Sequence, residues 1–215
     1  MKTSRGLTII GGALLMAAAQ SRAQSADKFY FDLNAGPAIP QSTGIRVSPF
    51  GNNGDVKYNV GFRGDLDFGY NFTPDFAGEL ESGVIWNGIH SIRGNTLTGS
   101  NSRADLFQVP LLANFIYKPM HKAFQPYFGI GVGGEAALFD SANVPLFGSK
   151  FTDTDFTFAC QAEVGFKYYI NSSMELGLAY KFLGTTDHSW SDNGITFKTD
   201  GTMTHSVMAT FGWKF

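Results

Sequence analysis

Four carboxylates, Asp65, Asp67, Glu79 and Glu81, fall at alternate positions on either side of a Thr73-Pro74-Asp75 turn, with Arg63 as the base nearest to them in that hairpin. In extended chain such spacing puts them on one face, where they could hold a cation or act as a proton-sensitive gate. A second set, Glu163, Lys167, Glu175 and Lys181, flanks an Asn171-Ser172-Ser173 turn. One register there sets Glu163 opposite Lys181, and a shift of two residues sets Lys167 opposite Glu175, so either gives an ion pair across the strands. Buried charge is tolerable only when paired. The favoured expectation therefore joins the two sets into one structural network, with bases of the second hairpin reaching carboxylates of the first across a shared interior.

Other chemistry is less well supported. Asp187, His188, Ser189, Ser191 and Asp192 supply nucleophile, base and orienter types within one connection, but solvated loop residues are the expected outcome, and no catalytic residue is assigned. His205 and Ser206 are adjacent, so in a strand they face opposite ways. His90 and His188 are too scattered to predict a metal site. Gly129, Gly131 and Gly133 lie inside a strand pattern with no helix following, which argues against a phosphate cradle. They argue instead for room for bulky neighbours such as Tyr127 and Tyr169. The single cysteine, Cys160, makes neither an internal disulfide nor a thiolate metal site. No cofactor is expected.

The elements that must position these residues are strands. The chain has 215 residues, 26 Gly and 32 aromatics, a mixture that suits short, tightly packed strands better than helices. Apolar and polar residues alternate with period two. From Tyr58 to Phe68, one face reads Tyr58, Val60, Phe62, Gly64, Leu66 and Phe68, and the other Asn59, Gly61, Arg63, Asp65 and Asp67. The next strand sets Phe76, Leu80, Val84 and Trp86 against Glu79 and Glu81. The split recurs over 29–38, 107–117, 124–138, 156–170, 174–183 and the final segment. No Asp, Glu, Lys or Arg falls on the apolar face of any of the eight; the other face carries Asp32, Lys57, Arg63, Asp65, Asp67, Glu79, Glu81, Glu135, Glu163, Lys167, Glu175, Lys181 and Lys214. Pro110 lacks a ladder N–H, so a bulge or a lost hydrogen bond is expected there.

Alternation alone would also fit a lipocalin-like carrier in the periplasm, with the charged face to water. The connections decide. Tight turns at Thr73-Pro74-Asp75, Pro119-Met120-His121 and Asn171-Ser172-Ser173 alternate with long polar loops over 39–55, 87–103, 140–155 and 184–202. Phe29, Phe68, Phe76, Tyr117, Phe124, Tyr168 and Trp213 fall at the short-turn ends, and Tyr58, Trp86, Phe107, Phe156 and Phe182 towards the long-loop ends. Two aromatic girdles around an aliphatic band match a bilayer. The prediction is all-β: an eight-stranded antiparallel up-and-down transmembrane β-barrel with both termini on the short-turn side. At the start, Lys2 and Arg5 precede an uncharged run from Gly6 to Ala19, and Ser21-Arg22-Ala23 has cleavage spacing. Residues 1–23 are predicted to be a secretory signal peptide, with Ala19 as the second choice of cleavage point, and 24–215 the barrel domain. The chain is two charges negative as a whole; without the leader, thirteen bases face eighteen acids. No nucleic-acid partner is expected from that balance.

The closing "MTHSVMATFGWKF" resembles the terminal strand of bacterial outer-membrane barrels. "QPYFGIGVGGEAAL", "VPLLANFIY", "EVGFKYYI" and "MELGLAYKFLG" resemble strands of the opacity-type and OmpX/OmpA-type small barrels. The resemblance implies that Phe211, Trp213 and Phe215 form a signal for the barrel-assembly machinery, and that outer-membrane lipid and lipopolysaccharide surround the barrel. It further implies that the loops could meet a surface partner, in adhesion or envelope integrity. The sequence stops at the last barrel strand, unlike the OmpA plan with its peptidoglycan-binding domain. The alternative in a different class is an OmpW-like small-solute channel. A lipid A-modifying enzyme is disfavoured, because "DHSWSDNG" puts Trp190 where the deacylase His-x-Ser pattern has serine.

Overall fold

The computed structural model describes residues 28–48, 52–97, 102–120, 123–144, 148–192 and 195–215. The leader expected at 1–23, and His121 of one turn, lie outside them. Among the described residues there are thirteen strands: β1 (Phe29–Pro40), β2 (Thr43–Ser48), β3 (Asn52–Tyr58), β4 (Gly61–Asn71), β5 (Phe76–Ile92), β6 (Asn95–Thr96), β7 (Arg103–Tyr117), β8 (Phe124–Val144), β9 (Gly148–Tyr169), β10 (Met174–Thr185), β11 (His188–Asp192), β12 (Ile195–Thr199) and β13 (Met203–Lys214).

Eight of these close a ring. β1, β4, β5, β7, β8, β9, β10 and β13 each pair antiparallel with the next, and β13 returns to β1 with Leu33 opposite Phe211. Closure leaves no free edge, which is the condition for crossing a bilayer with strands. The outward parity carries Leu33, Leu66, Leu80, Leu111, Ile130, Val132, Leu178 and Val207, all exposed. An apolar belt continuous around the ring far exceeds the patch a soluble monomer shows to water. Aromatic rings border it. Phe29 stacks on Phe68 and Phe215, Phe76 on Tyr117, and Phe124 on Phe166 at the short-turn end, while Trp86 lies over Phe107 towards the other.

The long connections depart from expectation. They are not simply polar loops: β5, β8 and β9 continue well past the belt, and β2, β3, β11 and β12 join them in an upper tier ordered β11-β12-β2-β3-β5. Polarity inverts there. Ile45, Val47, Val56, Phe139, Phe151, Trp190 and Phe197 point inward into one buried cluster, while Arg46, Lys57, Ser189, Ser191 and Lys198 are exposed. Outside the bilayer water is again the solvent, so apolar side chains are stabilised inside the sheet rather than on its outer surface.

The inversion moves two residues from their expected faces. Tyr58 was expected outward and Lys57 inward; Tyr58 instead packs against the inner cluster and Lys57 is exposed. Asn59 and Val60 leave the strand, and the β3–β5 register shifts between Lys57 and Tyr58, so parity is not carried from β4 into β3. Thr43 Oγ1 donates to the Tyr58 hydroxyl at 2.8 Å, and burial pushes that phenol up to about 12. At Pro110 the ladder to β5 is interrupted without a shift. Ser82 lies opposite Leu111 and Ile85 opposite Gln108, and Ser82 Oγ donates to the Pro110 carbonyl at 3.1 Å. Of the two outcomes anticipated for that proline, the lost hydrogen bond is the one found.

Candidate functional site

The interior of the ring is filled in layers. Nearest the short turns, Lys167 on β9 bonds Asp32 on β1 and lies 2.9 Å from Glu175 on β10. Tyr30 donates to Glu79 at 2.6 Å, and Lys214 is 3.3 Å from Glu175. One layer further in, Arg63 on β4 donates from Nε to Asp65 at 2.9 Å and from Nη2 to Glu81 and Gln161, each at 2.5 Å. Lys181 on β10 reaches Asp65 at 3.1 Å, Asp67 at 3.3 Å and Glu81 at 3.0 Å. In the ring order, β4 stands opposite β9 and β5 opposite β10. The Arg63–Gln161 and Lys181–Glu81 contacts therefore span the full diameter, and these four side chains are at most 4% exposed. Neutral donors complete the layer: Asn34 to Asp65 and Asp67, and Asn114 and Gln161 to Glu81.

Local structure explains the pairing. The β9–β10 register sets Lys181 opposite Glu163, one of the two anticipated. Yet that pair is 4.0 Å apart, while Lys167 takes Glu175, two residues off on the diagonal. Diagonal neighbours on one face are within reach of long side chains, and Lys181 is drawn across the lumen by three carboxylates. Those three, Asp65, Asp67 and Glu81, bring ligand atoms within 4.8 Å of one another. The Lys181 ammonium sits among them and is the cation they hold. Glycines make the room, although not for the expected neighbours: side chains at Gly129 and Gly131 would collide with Glu163, Ile116 and Asn114. Tyr127 lies instead against Gly165, and Tyr30 against Gly69. With Lys57 outside and Lys118 turned in at the short-turn end, eight lumen acids face five bases, so neutral Tyr, Asn and Gln donors carry part of the pairing.

Above the charged layers is a junction that sequence reasoning did not assemble. Gln108 donates to Glu135 at 2.8 Å, and Glu135 is 3.9 Å from His188 Nε2. His188 was expected as a solvated loop residue; it is fully buried and stacks on Trp190 at 5.1 Å. Burial holds its imidazole below the ordinary histidine value despite Asp155 and Asp187 nearby. Thr185 Oγ1 is 3.1 Å from His188 Nε2 and Asp155 3.9 Å from Nδ1, a hydroxyl–imidazole–carboxylate order sealed from solvent at the ring. Ser189 and Ser191 point outward. Their amides donate to Asp155 and Asp153 at 2.8 Å each, fastening β11 to β9. The period-two spacing of His188 and Trp190 was the available signal for their shared burial.

The terminal aromatics line the closing seam. Phe211, Trp213 and Phe215 all face outward, and the Phe215 amide donates to the Phe29 carbonyl at 3.0 Å. His205, also outward, meets Tyr180 at 2.5 Å and Gln41 at 2.8 Å, with Ser206 buried on the opposite face.

A closed ring with an apolar exterior, aromatic borders and a charged interior defines an integral membrane β-barrel. Residues 9–215 match the outer membrane protein beta-barrel domain, and the chain belongs to that family; its place is the bacterial outer membrane. Among solved structures it is similar to the outer membrane protein OprG of Pseudomonas aeruginosa, at 19% identity and TM-score 0.62, covering 88% of this chain and 97% of that one. Neisserial surface protein A aligns at 14% identity and TM-score 0.56, covering 89% and 100%. The outer membrane protease OmpT of Escherichia coli aligns at 10% identity and TM-score 0.53, covering 91% and 99%. At such identities the likeness is one of fold. No curated protein matches by sequence.

Proposed function

We propose that the protein is a closed, non-enzymatic barrel that works through its extracellular tier, in envelope integrity or surface contact, and not by passing solutes. The carrying observation is the layer in which Arg63, Gln161, Glu81 and Lys181 meet across the whole diameter, fully buried, with a second, apolar layer of Phe139, Phe151, Trp190 and Phe197 above it. Two filled layers in series leave a barrel of this strand number no continuous water column. Fastened strands give the tier a defined outer surface, on which Arg46 and Asp200 form an exposed pair, and a rigid surface costs a partner less ordering entropy than loose loops do. The reading includes export through a cleaved leader at 1–23, assembly directed by Phe211, Trp213 and Phe215 through the barrel-assembly machinery, and lipid and lipopolysaccharide around the belt. It includes no catalysis: the His188 imidazole is itself fully buried, packed on Trp190 away from solvent. Planar-bilayer recording tests it. The intact protein is expected to give no stable conductance steps, and large, stable steps would promote the small-solute channel in its place.

A further inference from the structure

At the short-turn end the lumen opens into a cavity of about 610 Å³, between the turn that follows β4, the end of β7, the start of β8 and the ends of β9 and β13. Lys28, Lys118 and Lys214 line it, together with Asn71, Gln125 and Tyr169, and no carboxylate is among its described lining residues. Lys214 has Glu175 behind it at 3.3 Å and lies 3.7 Å over the Tyr169 ring. Lys118 is different. It is only 7% exposed, yet among the described residues no carboxylate stands within ion-pair distance of it. Its partners are the Asn71 side-chain oxygen and the face of Tyr30 at 4.8 Å. An ammonium buried with no carboxylate in contact is costly, and burial, with the Lys167 and Lys214 ammoniums nearby, holds Lys118 down to about 8 against the opposing pull of Glu79 and Glu175.

We propose that this periplasmic mouth is a binding site for a phosphate group, with Lys118 at its floor and Lys28 and Lys214 at its rim. Lysine ammoniums act as separate point charges rather than as a planar fork. Three of them around one cavity suit a tetrahedral oxyanion, which offers a separate oxygen to each, better than a flat carboxylate. The anion supplies the contact counter-charge that Lys118 lacks; on the cavity wall the Tyr169 hydroxyl donates to the Gln125 side-chain oxygen and the Gln125 amide to the Met120 carbonyl. The cavity exceeds the size of a bare phosphate, so an esterified one fits. The same chemistry is presented by a free phosphate ester in the periplasm and by the headgroup of an anionic lipid in the inner leaflet.

Full-length barrel purified in a phosphate-free maltoside detergent tests the site, by titration calorimetry and native mass spectrometry at pH 7. One arm uses inorganic phosphate and the other a short-chain phosphatidylglycerol. Saturable binding of at least one is expected, weakened at least tenfold by Lys118→Gln and several-fold by Lys28→Gln, and weakening further above about pH 8 as Lys118 loses its proton. Binding of inorganic phosphate supports a free-ester source, and binding of the lipid alone supports the headgroup. Absence of binding in both arms, or binding untouched by either variant, overturns the proposal. Lys28 is exposed, so Lys28→Gln remains a folded test if Lys118→Gln does not assemble.

Discussion

Replacing Lys181 with methionine should destabilise the barrel by about 3 to 5 kcal/mol, the cost of removing one partner from a buried ion pair. Methionine keeps most of the side-chain volume, so the cavity contribution is small. What is lost is the ammonium that holds Asp65 at 3.1 Å, Asp67 at 3.3 Å and Glu81 at 3.0 Å. Arg63 would remain as the sole cation of the layer, bonded to Asp65 and Glu81 and leaving Asp67 without a charged partner. The second variant follows from that geometry: adding Asp67→Asn to Lys181→Met should recover about half of the loss, because it removes the carboxylate left unpaired while keeping the Asn34 contact. Urea unfolding in lipid vesicles, followed by tryptophan fluorescence, gives the free energies. A loss below about 1 kcal/mol for Lys181→Met, or a double variant less stable than the single, would show that solvent and not Lys181 balances these carboxylates.

Leu66→Arg, on the exposed belt, should cost about 2 to 4 kcal/mol in the same assay, and Asp65→Asn on the inner face less; equal tolerance of both would reverse the inside and outside of β4. Trp190→Ala should cost about 3 to 5 kcal/mol by emptying the centre of the upper cluster, and should render that tier, but not the belt, sensitive to added protease. His188 is held below its unfolded value of about 6.5, so the unfolded chain binds the extra proton as the medium acidifies. Its contribution is present above about pH 6.5 and is lost as pH falls below it, with a slope of at most about 1.4 kcal/mol per unit that His188→Asn should abolish when the two unfolding profiles are subtracted. Deleting Phe215 together with Trp213→Ser should leave an unassembled, protease-sensitive chain; full heat-modifiable gel mobility would show that the terminal aromatics are dispensable for assembly.

Much of the barrel was legible because its signal is local. Wherever a strand has lipid on one side and packed polar groups on the other, neighbouring residues must differ, and Leu66 beside Asp65 and Asp67 reports its own orientation. Strand number and the alternation of short turns with long connections followed from the same pattern. The upper tier was missed because its pattern is inverted and interrupted. Ile45, Val47, Trp190 and Phe197 sit in short strands among polar residues, and such segments resemble loops until they are seen to share one core.

Composition and period two thus determined by themselves that this chain makes an all-β barrel with a lipid-facing belt, and which residues of the belt strands turn inward. Only the tertiary structure decided which carboxylates each base takes, Lys181 with Asp65, Asp67 and Glu81 and Lys167 with Asp32 and Glu175, that Lys57 and Tyr58 exchange faces, and that His188 is buried against Trp190. The reason is range. Parity is set within a strand by the solvent on each side, whereas a partner across the lumen is set by ring closure, register and the space glycines leave, and those exist only once distant strands have met.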